Sequence, residues 1–345
     1  MFQLSTSQNV VKRWLLIFVA LVAFMVVFGG YVRLTRSGLS IVEWNPISGA
    51  IPPLTTQAWQ EEFAKYQQTP EFQKINYNMT LEEYKLIFWI EWIHRLIARF
   101  VGLFYALPFF WFVYRRIIPW KEVGPYVLMG LLFVGQAVMG WLMVASGLVD
   151  RPAVSHLRLT AHLLLALTLL GASFWVALGH HYGFDEKRRW PKPAWLTLLG
   201  LFLLVIQISY GGMTAGLKAG HLSDTWPLML GRWIPPGLFT QFQPIWLNLL
   251  ESPVTIFFIH RWLPFLGLVI MLGVYIPLLR HYAARRDMRI GLTVLLVVIL
   301  LQILLGILTV LFHVHLVLAL LHQGTAILLL LALLYVIHRM IHEAQ

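Results

Sequence analysis

Long apolar stretches separated by polar connections dominate this chain. A helix needs about 20 apolar residues to cross a bilayer. Eight stretches come close to that length or exceed it: 13–31, 87–113, 124–145, 154–179, 194–215, 253–279, 290–312 and 314–338. The pattern predicts an all-α integral membrane protein with eight transmembrane helices. Two connections are long, 32–86 and 216–252. Within the first, Ala58 to Tyr66 and Leu81 to Leu86 are acid-rich and helix-forming, which predicts surface helices there. The first apolar run, Trp14 to Gly30, leads into Tyr31-Val32-Arg33-Leu34 rather than a small-residue cleavage site, so it reads as a retained span.

The pattern repeats. His94 recurs as His260 and Gln136-x-x-x-Gly140 as Gln302-x-x-x-Gly306, both offset by 166 residues. Gly29-Gly30 and Gly211-Gly212 each close an apolar run. This predicts two tandem, pseudo-symmetric four-helix bundles, residues 1–180 and 181–345. With an even number of spans in each, both halves face the same way, unlike inverted-repeat transporters.

Composition agrees with this reading: 59% of the 345 residues are hydrophobic, 12% are charged, and mean hydropathy is +0.73. A soluble domain is about one quarter charged. The formal charge of +11 would suit a nucleic-acid partner if it formed one patch, but it is scattered between apolar runs, so none is expected. Instead it marks topology. Fourteen Lys and Arg, including Lys187, Arg188 and Arg189, fall on the side holding the termini, against eight in the longer loops opposite. The positive-inside rule then puts both termini on the cytoplasmic or matrix side. The chain has no cysteine, which excludes disulfides, thiolate ligands and iron–sulfur clusters.

Ionisable groups inside spans are costly and point to function. His94, His162, His260 and His322 each lie seven or eight residues past the outer end of an even-numbered predicted span. At about 1.5 Å per residue they share one depth. Paired imidazoles from facing helices suit axial ligation of a heme, one heme per half. Zinc is a poorer match, because no third or fourth ligand repeats with them. Glu91 stands one turn before His94 and reads either as a snorkelling acid or as a proton-handling or charge-stabilising group; its counterpart is Phe257. Arg158, one turn before His162, is a candidate partner for a heme propionate or for Glu91, and Arg95 and Arg261 for heme or a carboxylate. Gln136, Gln207 and Gln302, each four residues before a glycine, read as close helix packing with an amide hydrogen bond.

Several segments together resemble the heme A synthase family over essentially the whole chain. They are Gly29 to Ser40, Glu91-x-x-His94-Arg95, Gly211 to Gly220, Thr225-Trp226-Pro227-Leu228-Met229, His260-Arg261 and His322-Gln323. The resemblance implies a membrane oxidoreductase that converts the C8 methyl of heme O to the formyl group of heme A for cytochrome oxidase assembly. It implies a substrate-heme site in the N-terminal half (Glu91, His94, His162) and a heme b site in the C-terminal half (His260, His322). The bacterial or mitochondrial inner membrane is the implied location. Implied partners are heme O, membrane lipid, heme O synthase, an electron donor and cytochrome oxidase assembly factors, with a homo-oligomer left open. Some members carry an outer-loop cysteine pair; this chain resembles the cysteine-free branch. Two readings compete with it: a two-heme b-type electron carrier without substrate chemistry, and a heme transporter.

Overall fold

The computed structural model describes residues 6–149, 151–183 and 192–342; Lys187, Arg188 and Arg189 of the basic connection lie outside the described residues. The elements are helices α1 (Thr6–Leu34), α2 (Thr56–Gln67), α3 (Pro70–Lys74), α4 (Leu81–Tyr114), α5 (Gly124–Ala145), α6 (His156–Tyr182), α7 (Lys192–Gly216), α8 (Asn248–Glu251), α9 (Pro253–His281), α10 (Arg286–Leu311) and α11 (Leu316–Ile341). Among the described residues, eight helices are long and apolar enough to cross a membrane: α1, α4, α5, α6, α7, α9, α10 and α11. The protein is an all-α integral membrane protein.

The chain forms two compact units, one of residues 20–166 and one of 1–19 with 167–345. In the second, α7 packs on α9, α9 on α10, α10 on α11, and α11 back on α7. That ring of four sets α9 and α11 on one diagonal and α7 and α10 on the other. The apolar core toward its C-terminal end includes Leu278, Met288, Leu292, Leu333, Ile337 and Met340.

One expected boundary is corrected. Leu81–Leu86 is not a separate surface helix; it forms the opening turns of α4, which runs unbroken to Tyr114. Thr80 and Glu83 form a reciprocal capping box at its start, and the next proline, Pro108, lies far along the helix. His94 therefore lies thirteen residues past the start of its helix, whereas His260 lies seven past Pro253. The added turns bury Tyr84 and Phe88 against Tyr66 of α2, with Trp59, Phe63 and Phe72 around them. Tyr66 and Tyr84 stack at 5.1 Å. The expected helix at Ala58–Tyr66 is α2.

The outer loops leave α1 and α7 in the same way. Arg36 (φ 55°) and Lys218 (φ 54°) each take the left-handed conformation seven residues after Gly29 and Gly211. After α1, the Ser37 amide bonds the Val32 carbonyl at 2.9 Å, which closes the helix end with a Schellman-type bond. In the second loop, buried Asn248 accepts from the amides of Gln241 and Phe242 and donates to the carbonyls of Phe242 and Ile245. One side chain thus stands in for the secondary structure that this segment lacks.

Candidate functional site

Each of the four intramembrane histidines meets a glycine on a neighbouring helix: His94 with Gly29, His162 with Gly140, His260 with Gly211 and His322 with Gly306. A Cβ on Gly140, Gly211 or Gly306 would stand 3.0, 2.9 or 2.9 Å from the ring Cε1, so only glycine leaves room for the imidazole. On Gly29 it would stand 3.4 Å from His94 Nε2, an ordinary contact. Phe28 also flanks the His94 ring, at 5.6 Å between centroids.

The glutamines read as packing residues are hydrogen-bonded to the histidines themselves. Gln136 Nε2 lies 3.2 Å from His162 Nε2, and Gln302 Nε2 lies 3.4 Å from His322 Nε2. Gln207 Nε2 lies 2.8 Å from His260 Nδ1 and donates to the His260 backbone carbonyl at 2.9 Å. The last bond has a covalent cause. Pro264, inside α9, has no N–H to give to the carbonyl four residues earlier, and that carbonyl belongs to His260. The spacing Gln-x-x-x-Gly was visible in the sequence; that both residues face one imidazole was not. The Oε1 atoms of Gln136, Gln207 and Gln302 and the Nδ1 atoms of His162 and His322 are buried and have no hydrogen-bond partner.

His260 and His322, from the diagonal pair α9 and α11, have ring centroids 6.2 Å apart and planes at 82°. Among the described residues, no three His, Cys, Asp or Glu side chains converge where they could hold a metal ion. Each unit therefore offers one pair of glycine-facing imidazoles, His94 with His162 or His260 with His322.

Glu91 is buried, 3% exposed, so the snorkelling reading fails. Its Oε2 accepts from Ser40 Oγ at 2.7 Å and from the Ile41 amide at 3.0 Å; its Oε1 is 2.6 Å from Arg95. Arg95 also donates to the carbonyls of Ile41 and Glu43, and Arg99, one turn further, to those of Asn45 and Pro46. Arg261 is the counterpart of Arg95 and does the same for the second loop, donating to the carbonyls of Thr225, Pro227 and Leu228. In place of a carboxylate it has aromatic faces, Trp226 at 4.9 Å and Phe257 at 5.2 Å. Both arginines thus grip loop backbone. Arg158 is exposed, donates to the Leu142 carbonyl at 2.7 Å and is not among the groups bonded to Glu91. Further along the first loop, a hydrogen bond from Lys65 holds the Glu43 carboxyl below its ordinary range.

Eight spans, duplicated intramembrane histidine pairs and loop-gripping arginines define a polytopic membrane protein with internally repeated imidazole sites. Residues 12–334 match the family model described as cytochrome oxidase assembly protein (COX15-CtaA), and the chain belongs to that family. It is 42% identical to a protein of Nitrosospira multiformis named heme A synthase, over 96% of this chain and 94% of that one. Proteins of the same name from Maricaulis maris (44% identical, 95% of each chain) and Ehrlichia canis (40%, over 95% of this chain and 92% of that one) are similar to it.

Proposed function

We propose that this chain is a heme A synthase, a membrane oxidoreductase that converts the C8 methyl of heme O to the formyl group of heme A for cytochrome oxidase assembly. Near-full-length identity of 40–44% to proteins of that name carries this reading. The residues fit a heme. Two metal–imidazole bonds of about 2 Å each, plus the distance from each nitrogen to its ring centre, come to about 6 Å, close to the 6.2 Å between His260 and His322. Two imidazoles are also all that an iron already held by four porphyrin nitrogens needs from the protein.

In this reading His94 and His162 hold the substrate heme in the N-terminal half, 1–180. His260 and His322 hold heme b in the C-terminal half, 181–345, so that the two halves form tandem four-helix bundles. Bound there, the heme supplies redox-active iron and a porphyrin that can take up and release electrons. The substrate methyl is oxidised twice, to an alcohol and then to a hydrated aldehyde that loses water; each step adds one oxygen atom and balances either with dioxygen plus two electrons and two protons, or with water and the release of two electrons and two protons to an acceptor. Glu91, one turn from His94, serves as proton acceptor or offsets developing positive charge, where low dielectric strengthens the effect. Arg158, exposed and held at one nitrogen, pairs with a propionate. Arg95 and Arg261 act from further out, by holding the loops over the sites. Both termini face the cytoplasm or matrix, across a bacterial or mitochondrial inner membrane. Heme O synthase, an electron donor and assembly factors are the expected partners, and self-association is compatible with the reading.

The Glu91/Phe257 difference does not by itself separate this enzyme from a two-heme electron carrier, because each residue also serves its arginine. Product analysis does. Expressed in a host that makes heme O but no heme A, the chain should yield extractable heme A. A carrier would leave heme O unconverted, and that result would end the enzyme reading.

A further inference from the structure

The four helices that carry no candidate ligand share one register. Four residues before the glycine that meets a histidine stand Gln136 on α5, Gln207 on α7, Gln302 on α10 and, on α1, Met25. Three amides reach a ring nitrogen of the facing histidine. All four rings also meet the backbone of the residue at this place, Met25 in the case of His94, so what the His94 ring lacks is the additional amide. The clearances follow the same division: three rings press within 3.0 Å of a would-be Cβ, and the His94 ring keeps 3.4 Å. Side chain and spacing independently set His94 apart.

The chemistry of the difference is direct. The second nitrogen of a metal-bound imidazole normally needs an acceptor, and that hydrogen bond fixes tautomer and ring orientation and raises basicity. An amide carries both donors and an acceptor, so it can serve either tautomer. The unpartnered Oε1 atoms of Gln136, Gln207 and Gln302 are such acceptors in reserve. A thioether accepts only weakly.

We propose that Gln136, Gln207 and Gln302 are positioning residues for His162, His260 and His322, and that Met25, which offers no amide, leaves His94 the most weakly held of the four rings and the one that swings away from the metal. The inference rests on the paired-histidine reading above. The face of the first site toward His94 is then where a small exogenous ligand enters. The C-terminal site, with an amide on both rings, stays closed to it.

Carbon monoxide titrated into the reduced, full-length, heme-loaded protein tests this, because it binds ferrous iron only where an axial position opens. The formyl group of the product separates the bands of the first heme from those of the b-type heme. Carbon monoxide should bind the first heme and leave the second untouched. Met25→Gln supplies the missing amide and should weaken that binding about tenfold or more, the usual scale for such partners. Gln302→Leu should admit carbon monoxide to the b-type heme at unchanged heme content, and Gln302→Glu, which keeps an acceptor, should exclude it again. The proposal is overturned if Met25→Gln binds like the parent, if carbon monoxide binds both hemes equally, or if it binds neither. Failure of the ligation reading looks different: His94→Ala or His322→Ala would then keep the six-coordinate low-spin spectrum of its own heme, however the glutamine variants behave.

Discussion

Glu91 has three donors: Ser40 and Ile41, which tie it to the start of the first outer loop, and Arg95, one turn on along α4, which itself grips that loop. Its charge and its grip are separable by mutation. Glu91→Gln keeps an oxygen acceptor and the size of the side chain but loses the ion pair and the ability to accept a proton. It should retain heme and lose most conversion of heme O to heme A. Ser40→Ala removes one loop tether and leaves the carboxylate, so it should keep most of the activity. Equal losses in the two variants, measured as heme A per bound heme, would reduce Glu91 to a loop anchor. The glycines make a second comparison. Gly306→Ala puts a methyl 2.9 Å from the His322 ring, closer than real contacts allow, and should lower heme b content severalfold; Gly29→Ala, at 3.4 Å, should be mild. The four histidines were legible in the sequence because an imidazole inside an apolar run is conspicuous. The glutamines were not, since an amide beside a glycine looks like ordinary helix packing until the facing ring is seen.

At the scale of elements, α4 departs most from its repeat partner α9. Its opening turns stand beyond the ligand and bind α2 through aromatic contacts and through Tyr84 Oη, which donates to the Ser40 carbonyl at 3.2 Å. The loop that reaches Glu91 is thus held from two directions. Tyr84→Ala should cost about 3 kcal/mol of local packing, by analogy with other buried aromatic truncations. It should expose residues 56–80 to limited proteolysis and leave the C-terminal heme spectrum unchanged. Helix α4 was underestimated because Leu81–Leu86 is too polar for a span, and hydropathy alone ends the element there. The Thr80-x-x-Glu83 cap, which was present in the sequence, gives the true start. On α9, Pro264 releases the His260 carbonyl, and this local defect explains why Gln207 makes two bonds where its counterparts make one.

Across the whole molecule, duplication kept the imidazoles and let their surroundings diverge. The N-terminal half has Glu91 beside Arg95, and Met25 opposite His94; the C-terminal half has Phe257 beside Arg261, and Gln207 opposite His260. The halves should therefore not be interchangeable. His94→Ala or His162→Ala should abolish product and leave b-type heme in place. His260→Ala or His322→Ala should first deplete that b-type heme. If His260→Ala kept heme b but made no heme A, while His94→Ala still made it, the assignment of the halves would be reversed. The repeat was visible in the spacing of His94 and His260; which helices lie on which diagonal of the second ring was not, because periodicity carries no information about neighbours in space.

Every hydrogen bond that Arg95, Arg99 and Arg261 donate to the loops ends on a backbone carbonyl: Ile41, Glu43, Asn45 and Pro46 in one loop, Thr225, Pro227 and Leu228 in the other. Any amino acid offers a carbonyl, so these particular bonds do not depend on the loops' own spelling. Trp226 is different, because its ring face also lies 4.9 Å from Arg261. The donors all stand on the helices, and the loops over each site are fastened chiefly by their backbone.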